Sequence, residues 1–322
     1  MKGSYSIRVE NARVQFKLTL TRSLTLIRGM SATGKSTLVG LLSEYQQDGP
    51  ASGITLSSPK PCIVPSVRSW REDIANTPDS FVFLDEGNSF VRTEEFARIA
   101  RDSGNYFVIV SREELPMLPY SVEEVYELRN TTSHYPGIRK FFTHAQRMYT
   151  RIPGVENPQV VIVEDSNAGY EFFNALCKKD GIKCMSAHGK GNVLTALREC
   201  DAERILVVAD GAAFGPQMEA VLDLARRKGA GLFLPESFEW LILKSGLVRD
   251  ADIPKMLDDP AAYVESSAYF SWERFFTALL VDKTVNTYLH YQKANLNPAY
   301  LQERERSAIE AQLGQTGISS LA

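Results

Sequence analysis

From residue 5 to residue 28 the chain alternates polar and apolar positions. Tyr5-Ser6-Ile7-Arg8-Val9-Glu10 is followed by Val14-Gln15-Phe16-Lys17-Leu18-Thr19-Leu20, then by Leu24-Thr25-Leu26-Ile27. A period of two is the signature of half-buried strands, so two antiparallel strands are expected ahead of a third. The pattern then changes. Phe81-Val82-Phe83-Leu84 and Tyr106-Phe107-Val108-Ile109-Val110 are apolar without a break, as in strands buried on both faces of a parallel sheet. Val125-Tyr126-Glu127-Leu128 reads as a closing strand, and the first domain is expected to end near Thr150.

A Pro/Gly-containing stretch over 151–158 reads as a linker, after which the pattern restarts. Apolar strands Val160–Val163, Ile182–Ser186, Ile205–Ala209 and Ala230–Leu234 alternate with helical periodicity over Asn167–Lys178, from about Asn192 to Cys200, and over Gly215–Lys228. That alternation predicts right-handed βαβ crossovers and a parallel sheet. Residues 250–300 read as mixed helical sequence, with Phe270, Trp272, Phe275, Phe276, Leu279 and Leu280 near helical spacing; such a stripe is a core face or a partner-docking face. From Gln302 the tail is charged, then Gly/Ser-rich, so its end is expected to be flexible. The expected fold class is therefore α/β: a first domain over 1–150, a linker over 151–158, a smaller parallel-sheet domain over 159–248, and a helical extension with a tail over 249–322.

The chemistry in the first half centres on Gly29-Met30-Ser31-Ala32-Thr33-Gly34-Lys35-Ser36, with Thr37 next. This is G-x-x-x-x-G-K-[ST], the phosphate-cradling loop, lying between a strand and a helix. Its two glycines let backbone N–H groups wrap a phosphate. Lys35 reaches the β- and γ-phosphates, the Ser36 hydroxyl is a magnesium ligand, and the following helix N-terminus favours negative charge. ATP with Mg²⁺ is the expected ligand, held by Gly29, Ser31, Ala32, Thr33, Gly34, Lys35, Ser36 and Thr37. Such a loop needs an acid-bearing strand beside it, and Phe81–Leu84 runs into Asp85-Glu86. In this order of strands, loop and acids, the first half resembles ATPases related to ABC transporters and SMC-type proteins. The resemblance implies that Asp85 holds Mg²⁺ through water and that Glu86, with Lys35 the catalytic pair, polarises the attacking water. It places Ser111 where that family usually has a γ-phosphate-sensing His, with Arg112 beside it as a phosphate contact or a surface residue.

Two departures narrow this reading. Only about 50 residues separate Lys35 from Asp85, too few for the helical insertion of ABC ATPases, and no L-S-G-G-Q-like signature occurs. A sandwich dimer with composite sites is therefore not expected. Val67-Arg68-Ser69-Trp70-Arg71-Glu72-Asp73 pairs two arginines with an aromatic; it is a helix start or a nucleotide or nucleic-acid contact.

Composition adds boundaries. Of the 322 residues 44% are hydrophobic and 23% charged, the proportions of a globular protein, and the net charge of -3 gives no global nucleic-acid footprint. Cys62, Cys177, Cys184 and Cys200 lack metal-finger spacing and read as reduced thiols. No run of about 18 or more apolar residues occurs, so no membrane span is expected and the cytoplasm is the expected compartment.

In the second half Glu164 closes the first strand, Asp210 closes the third, and Glu239 follows the fourth. Carboxylates converging at one sheet edge are costly unless a divalent cation neutralises them, so Glu164, Asp210 and Glu239 are candidate Mg²⁺ or Mn²⁺ ligands, with Glu164 and Asp210 as catalytic candidates. Lys190 could neutralise a phosphate and Asn192 could cap the next helix. With the Gly189-Lys190-Gly191-Asn192 turn, these residues resemble the Toprim domain of OLD-type (overcoming-lysogenization-defect) nucleases, which also join an ABC-like ATPase to a C-terminal Toprim domain. That family carries D-x-D at the third strand, whereas this chain has Asp210-Gly211-Ala212, leaving Asp165 or Glu236 to compensate. Gly211-Ala212-Ala213-Phe214-Gly215 is small and apolar, which predicts close packing against a neighbour.

Three functions are compatible with these residues. ATP state gates metal-dependent cleavage of DNA or RNA, placed by the resemblance in phage defence or a mobile element. Alternatively, a nucleotide-switched assembly module binds a protein partner or a second copy of itself and cleaves nothing. A small-molecule P-loop kinase is the third, although no Arg-rich lid follows residue 112.

Overall fold

The computed structural model describes residues 1–29, 33–132 and 140–314, arranged as two units. The first comprises Met1–Tyr149 and Ala261–Ser271, the second Thr150–Pro260 and Trp272–Ala322. Residues 261–271, expected in the C-terminal extension, thus belong with the first unit. The α-amino group of Met1 donates to Gly104 O at 3.2 Å and Ser266 Oγ at 2.8 Å, and it pairs with Glu265.

The first unit is built on a nine-stranded sheet. Its strands are β1 (Tyr5–Glu10), β2 (Val14–Leu20), β3 (Leu24–Arg28), β4 (Thr55–Ser57), β5 (Cys62–Ile63), β6 (Phe81–Leu84), β7 (Tyr106–Val110), β8 (Val125–Thr132) and β9 (Phe141–Arg147), in the order β4-β1-β2-β9-β8-β3-β7-β6-β5. The run β8-β3-β7-β6-β5 is parallel throughout, while β4-β1-β2 is antiparallel. Helices α1 (Lys35–Asp48), α2 (Trp70–Ala75) and α3 (Glu94–Ser103) complete the unit.

Alternation along the parallel strands sorts their side chains into two layers. Ile27, Phe81, Phe83, Val108 and Val110 pack with Leu38, Val39, Leu41 and Leu42 of α1 and with Phe16 and Leu18 of β2. Leu26, Val82, Leu84, Phe107 and Ile109 face the other way, onto Trp70 and Ile74 of α2 and Phe96, Ala97 and Ala100 of α3. Covering both faces is why these strands read as unbroken apolar runs. The Val67–Asp73 stretch is explained by the same layer. Trp70 is 2% exposed and stacks on Phe90 at 4.6 Å between centroids, and Arg71 lies over the Trp70 ring and pairs with Glu95.

The second unit has a four-stranded parallel sheet: β10 (Val160–Val163), β11 (Lys183–Ser186), β12 (Ile205–Val208) and β13 (Gly231–Phe233), in the order β11-β10-β12-β13. Its helices are α4 (Ala168–Lys179), α5 (Val193–Glu199), α6 (Gly215–Lys228), α7 (Phe238–Lys244), α8 (Ile253–Asp258), α9 (Trp272–Thr284) and α10 (Glu303–Glu310). The expected linker belongs to this unit. Pro153 O accepts from Leu232 N at 2.8 Å, and a Cβ on Gly231 would meet Val155 N at 2.7 Å, so the 153–155 backbone lies directly against β13.

The extension is less helical than its periodicity predicts. Between α9 and α10 the chain runs through turns, an isolated bridge from Gln292 to Asn295, and a short 3-10 turn at Pro298–Leu301. Phe275, Phe276, Leu279 and Leu280 of α9 are buried in the second unit, whereas Phe270 joins the core of the first. The expected flexible tail end, 315–322, lies outside the described residues. No helix among the described residues is long and apolar enough to cross a membrane.

Candidate functional site

Two groups of the expected residues sit at the C-terminal ends of parallel strands, one in each unit.

In the first unit β3 ends at Arg28 and the chain enters the loop at Gly29, with φ 114°. It leaves at Gly34, φ 94°, where a Cβ would come within 3.3 Å of the Phe16 ring. Positive φ at both ends of the loop is a reason for glycine there. Met30, Ser31 and Ala32 lie outside the described residues.

Helix α1 starts at Lys35, and Ser36 and Thr37 are exposed on its first turn. The Lys35 ammonium donates to Gly29 O at 2.8 Å and to Thr33 Oγ1 at 3.3 Å, which draws it across the loop. Burial and the Arg112 charge lower its pKa, while Glu86 and Asp85 act in the opposite sense. These charges therefore share one neighbourhood, although Asp85 and Glu86 follow β6 and Arg112 follows β7, the strand between β3 and β6.

Glu86 and Arg112 form a forked pair. Arg112 Nε lies 2.9 Å from Glu86 Oε2, and an Nη nitrogen donates to Oε1 at 3.0 Å. Arg28, 6% exposed, donates to Arg112 O at 2.8 Å and so ties the end of β3 to the residue after β7. The sequence offered no sign of Arg28's part, since an arginine closing an apolar strand reads as a surface residue.

Ser111 closes the turn after β7. Its hydroxyl donates to Glu113 O at 2.8 Å and accepts from Glu113 N at 3.1 Å, which commits it to the local turn. The buried Glu124 takes hydrogen bonds from Thr21 and Thr25 and lies near Arg22 at the N-terminal ends of β3 and β8, at the other end of the strands from the loop.

In the second unit Glu164 follows β10 and Asp210 follows the neighbouring β12. Asp210 N donates to Glu164 Oε2 at 3.0 Å, a contact between the Glu164 carboxylate and the Asp210 backbone. Beside them is a cavity of ≈ 10 Å³ lined by Val163, Phe173, Phe238 and Leu241 among others, room for about one water molecule. Burial pushes the Glu164 carboxyl up to about 7, helped by the Glu273 and Asp165 charges and opposed by the Asp210 N–H and Lys190. Asp210 is raised well above the usual carboxylate range by burial, then by Glu273, Glu164 and Glu239, against Lys293.

The rest of the expected ligand set is engaged elsewhere. Glu239, on the first turn of α7 and 1% exposed, accepts from Tyr291 Oη at 2.8 Å and lies 3.8 Å from Lys293 Nζ. Asp165 holds the turn into α4, whose N-cap is Asn167: Oδ1 accepts from Ser166 N and Asn167 N at 2.7 and 3.1 Å, and Oδ2 accepts from Gly169 N in the first turn at 3.0 Å. Ala212, where the second Asp of D-x-D would stand, is 2% exposed, and its N–H donates to Glu236 O at 3.2 Å. Among the described residues no three His, Cys, Asp or Glu side chains are placed to hold a metal ion. As placed, Glu164, Asp210 and Glu239 do not present a three-donor metal group, although the charges of Glu164 and Glu239 both act on Asp210.

One smaller expectation also changes. Asn192 makes no side-chain cap to α5; its amide donates to His188 O at 3.1 Å. Lys190 donates to Ala213 O at 3.2 Å. The small run at 211–213 does pack closely, because Gly211 N donates to Pro235 O at 2.6 Å and a Cβ there would meet Leu234 O at 2.7 Å.

Residues missing from the sequence reading are Tyr291, Lys293 and Glu273. They lie in the C-terminal extension, and no motif connects them to the ends of β10 and β12. Compared with known proteins, the chain matches no family model, and no curated protein matches it at a significant level.

Proposed function

We propose that the first unit binds and hydrolyses ATP, and that the protein is a nucleotide-switched module whose second unit, Toprim-like in its order of strands and acids, binds a partner without cutting nucleic acid. The observation that carries the ATP reading is the gathering of Lys35, Asp85, Glu86 and Arg112 around a loop with positive-φ glycines, at the C-terminal ends of β3, β6 and β7. Open parallel sheets bind ligands at this edge.

The residues present fit a magnesium-bound triphosphate. Lys35 would meet the phosphates, Ser36 and Asp85 would hold the ion, and Mg²⁺ would neutralise charge developing on the transferred phosphoryl group. Glu86 would take the proton of the attacking water. Arg112 orients that carboxylate. Phosphate release by the full-length chain and by Glu86→Gln tests the assignment. The variant should bind ATP and fail to turn it over; unchanged turnover would remove Glu86 from the mechanism.

A second reading, ATP-gated cleavage of DNA or RNA, is favoured by one observation, the contact of Glu164 with Asp210 N at neighbouring strand ends. The engagement of Glu239 and Asp165 and the burial of Ala212 weigh against it. Incubation with DNA and RNA in Mn²⁺ separates the readings: cleavage that disappears in Asp210→Asn would establish the nuclease.

A further inference from the structure

The acids of the second unit face a cation that belongs to the chain. Lys293 Nζ lies 2.7 Å from Glu273 Oε1 and 3.8 Å from Glu239 Oε1, and its charge acts on Asp210. Glu239 is 1% exposed, and its Oε2 makes no hydrogen bond among the described residues. Burying a carboxylate so placed is costly unless a positive charge lies beside it. Tyr291, 1% exposed, supplies one hydrogen bond to Oε1, but a hydroxyl brings no charge.

The lysine's backbone is held from several sides. Lys293 O accepts from Ala168 N at 3.2 Å, Leu296 N donates to Glu171 Oε2 at 2.7 Å, and Tyr291 N donates to Thr284 Oγ1 at 3.0 Å. Asn297 Nδ2 bridges Tyr288 O and His290 O at 2.8 and 3.1 Å. Helices α4 and α9 and the turn itself thus set where the ammonium falls.

We propose that Lys293 is the resident cation of this acidic sheet edge, doing by a fixed ammonium what a divalent metal does where carboxylates converge. Mg²⁺ requires several oxygen ligands at about 2.0–2.1 Å in near-octahedral geometry. To collect them here it would have to displace the ammonium from Glu239 and Glu273 and overcome its repulsion. The edge is thereby neutral enough to stay folded without metal, and its acids serve packing and charge balance. This inference deepens the reading of the second unit as non-hydrolytic and rests on it. If it fails, the nuclease reading gains, while ATP binding by the first unit, tested through Lys35, is unaffected.

Thermal unfolding of the full-length chain without nucleotide, in millimolar MnCl₂ or in NaCl of matched ionic strength, tests it. Because the first unit is the same in every variant, differences report on the second. The wild type is expected to melt at the same temperature in both salts. Lys293→Ala should melt roughly 5–10 °C lower in NaCl and regain part of that loss in MnCl₂, because the vacated acids now accept the ion. Where Lys293→Ala does not fold or Mn²⁺ does not restore it, the charge-matched Lys293→Met/Glu239→Gln double variant decides: recovered melting supports the proposal, and melting no better than the single variant overturns it. It is also overturned if Lys293→Ala melts like the wild type, or if Mn²⁺ stabilises the wild type and Asp210→Asn abolishes that effect.

Discussion

Arg112 grips Glu86 through two bonds, Nε to Oε2 at 2.9 Å and Nη to Oε1 at 3.0 Å, across the ends of two neighbouring strands. Both side chains are substantially exposed, so the pair adds little to stability, of order 0–1 kcal/mol. Its value lies in fixing the direction of a carboxylate. Glu86→Gln should lower ATP turnover by roughly 10²–10³-fold with melting almost unchanged. Arg112→Ala should lower turnover less, and the double variant should be no slower than Glu86→Gln alone, because both act on one proton transfer. Steady-state phosphate release from the four proteins checks this; independent, multiplying effects would contradict it.

Glu164 gives the second unit a pH dependence of definite sign. Its carboxyl is raised from 4.5 to about 7 in the folded chain, chiefly by burial, so the folded state holds a proton that the unfolded state releases earlier. The associated stability is fully present below the unfolded value and is lost as pH rises through the folded one. Asp210, raised for the same reason, acts in the same direction. Denaturant unfolding should therefore show the second unit weakening by about 2–3 kcal/mol between about pH 5 and pH 8, and Glu164→Gln should flatten that slope. An unchanged slope in the variant would assign the effect to other groups.

Asp165 braces the turn that leads into α4. Its three backbone hydrogen bonds at the start of α4 predict a loss of about 1–2 kcal/mol in Asp165→Ala and a smaller loss in Asp165→Asn, which keeps one acceptor oxygen. Denaturation midpoints of the two variants measure this. Equal losses would show that the charge, rather than the acceptor geometry, matters.

Gly211 tests the packing of the strand end after β12. A Cβ there would lie 2.7 Å from Leu234 O and 3.0 Å from Pro235 O, both backbone atoms that cannot rotate away. Gly211→Ala should cost about 1–3 kcal/mol by overpacking, seen as a lower melting temperature of the second unit. A neutral substitution would mean that the 234–236 backbone yields easily.

How much of this was legible in the sequence depended on where the partners of each residue lie. Unbroken apolar runs marked β6, β7, β10 and β12, because strands covered on both faces have no polar alternation to confuse them. Gly29 and Gly34 were readable as turn positions from spacing, and both have positive φ; Lys35, Asp85 and Glu86 were read from the same local motif. Strand β9 went unread: its exposed and half-buried residues, such as Phe141 and Phe142, alternate weakly, and its place is set by pairing with β8 and β2. Asp165 read as a spare ligand because a turn-bracing acid and a metal ligand use the same residue type after a strand. Lys293 was invisible for a related reason. A lysine in the polar stretch Gln292-Lys293-Ala294-Asn295 shows no partner in sequence, and its acids come from α7 and α9.

The central claim is that the Gly29–Ser36 loop binds ATP. Titration calorimetry of Mg–ATP into the full-length wild type and into Lys35→Ala, each first shown to melt cooperatively, measures it directly. The account predicts saturable one-site binding by the wild type and affinity weakened at least about tenfold in Lys35→Ala, a loss of about 1.4 kcal/mol or more. No saturable heat from the wild type, or equal affinity in the variant, would contradict it.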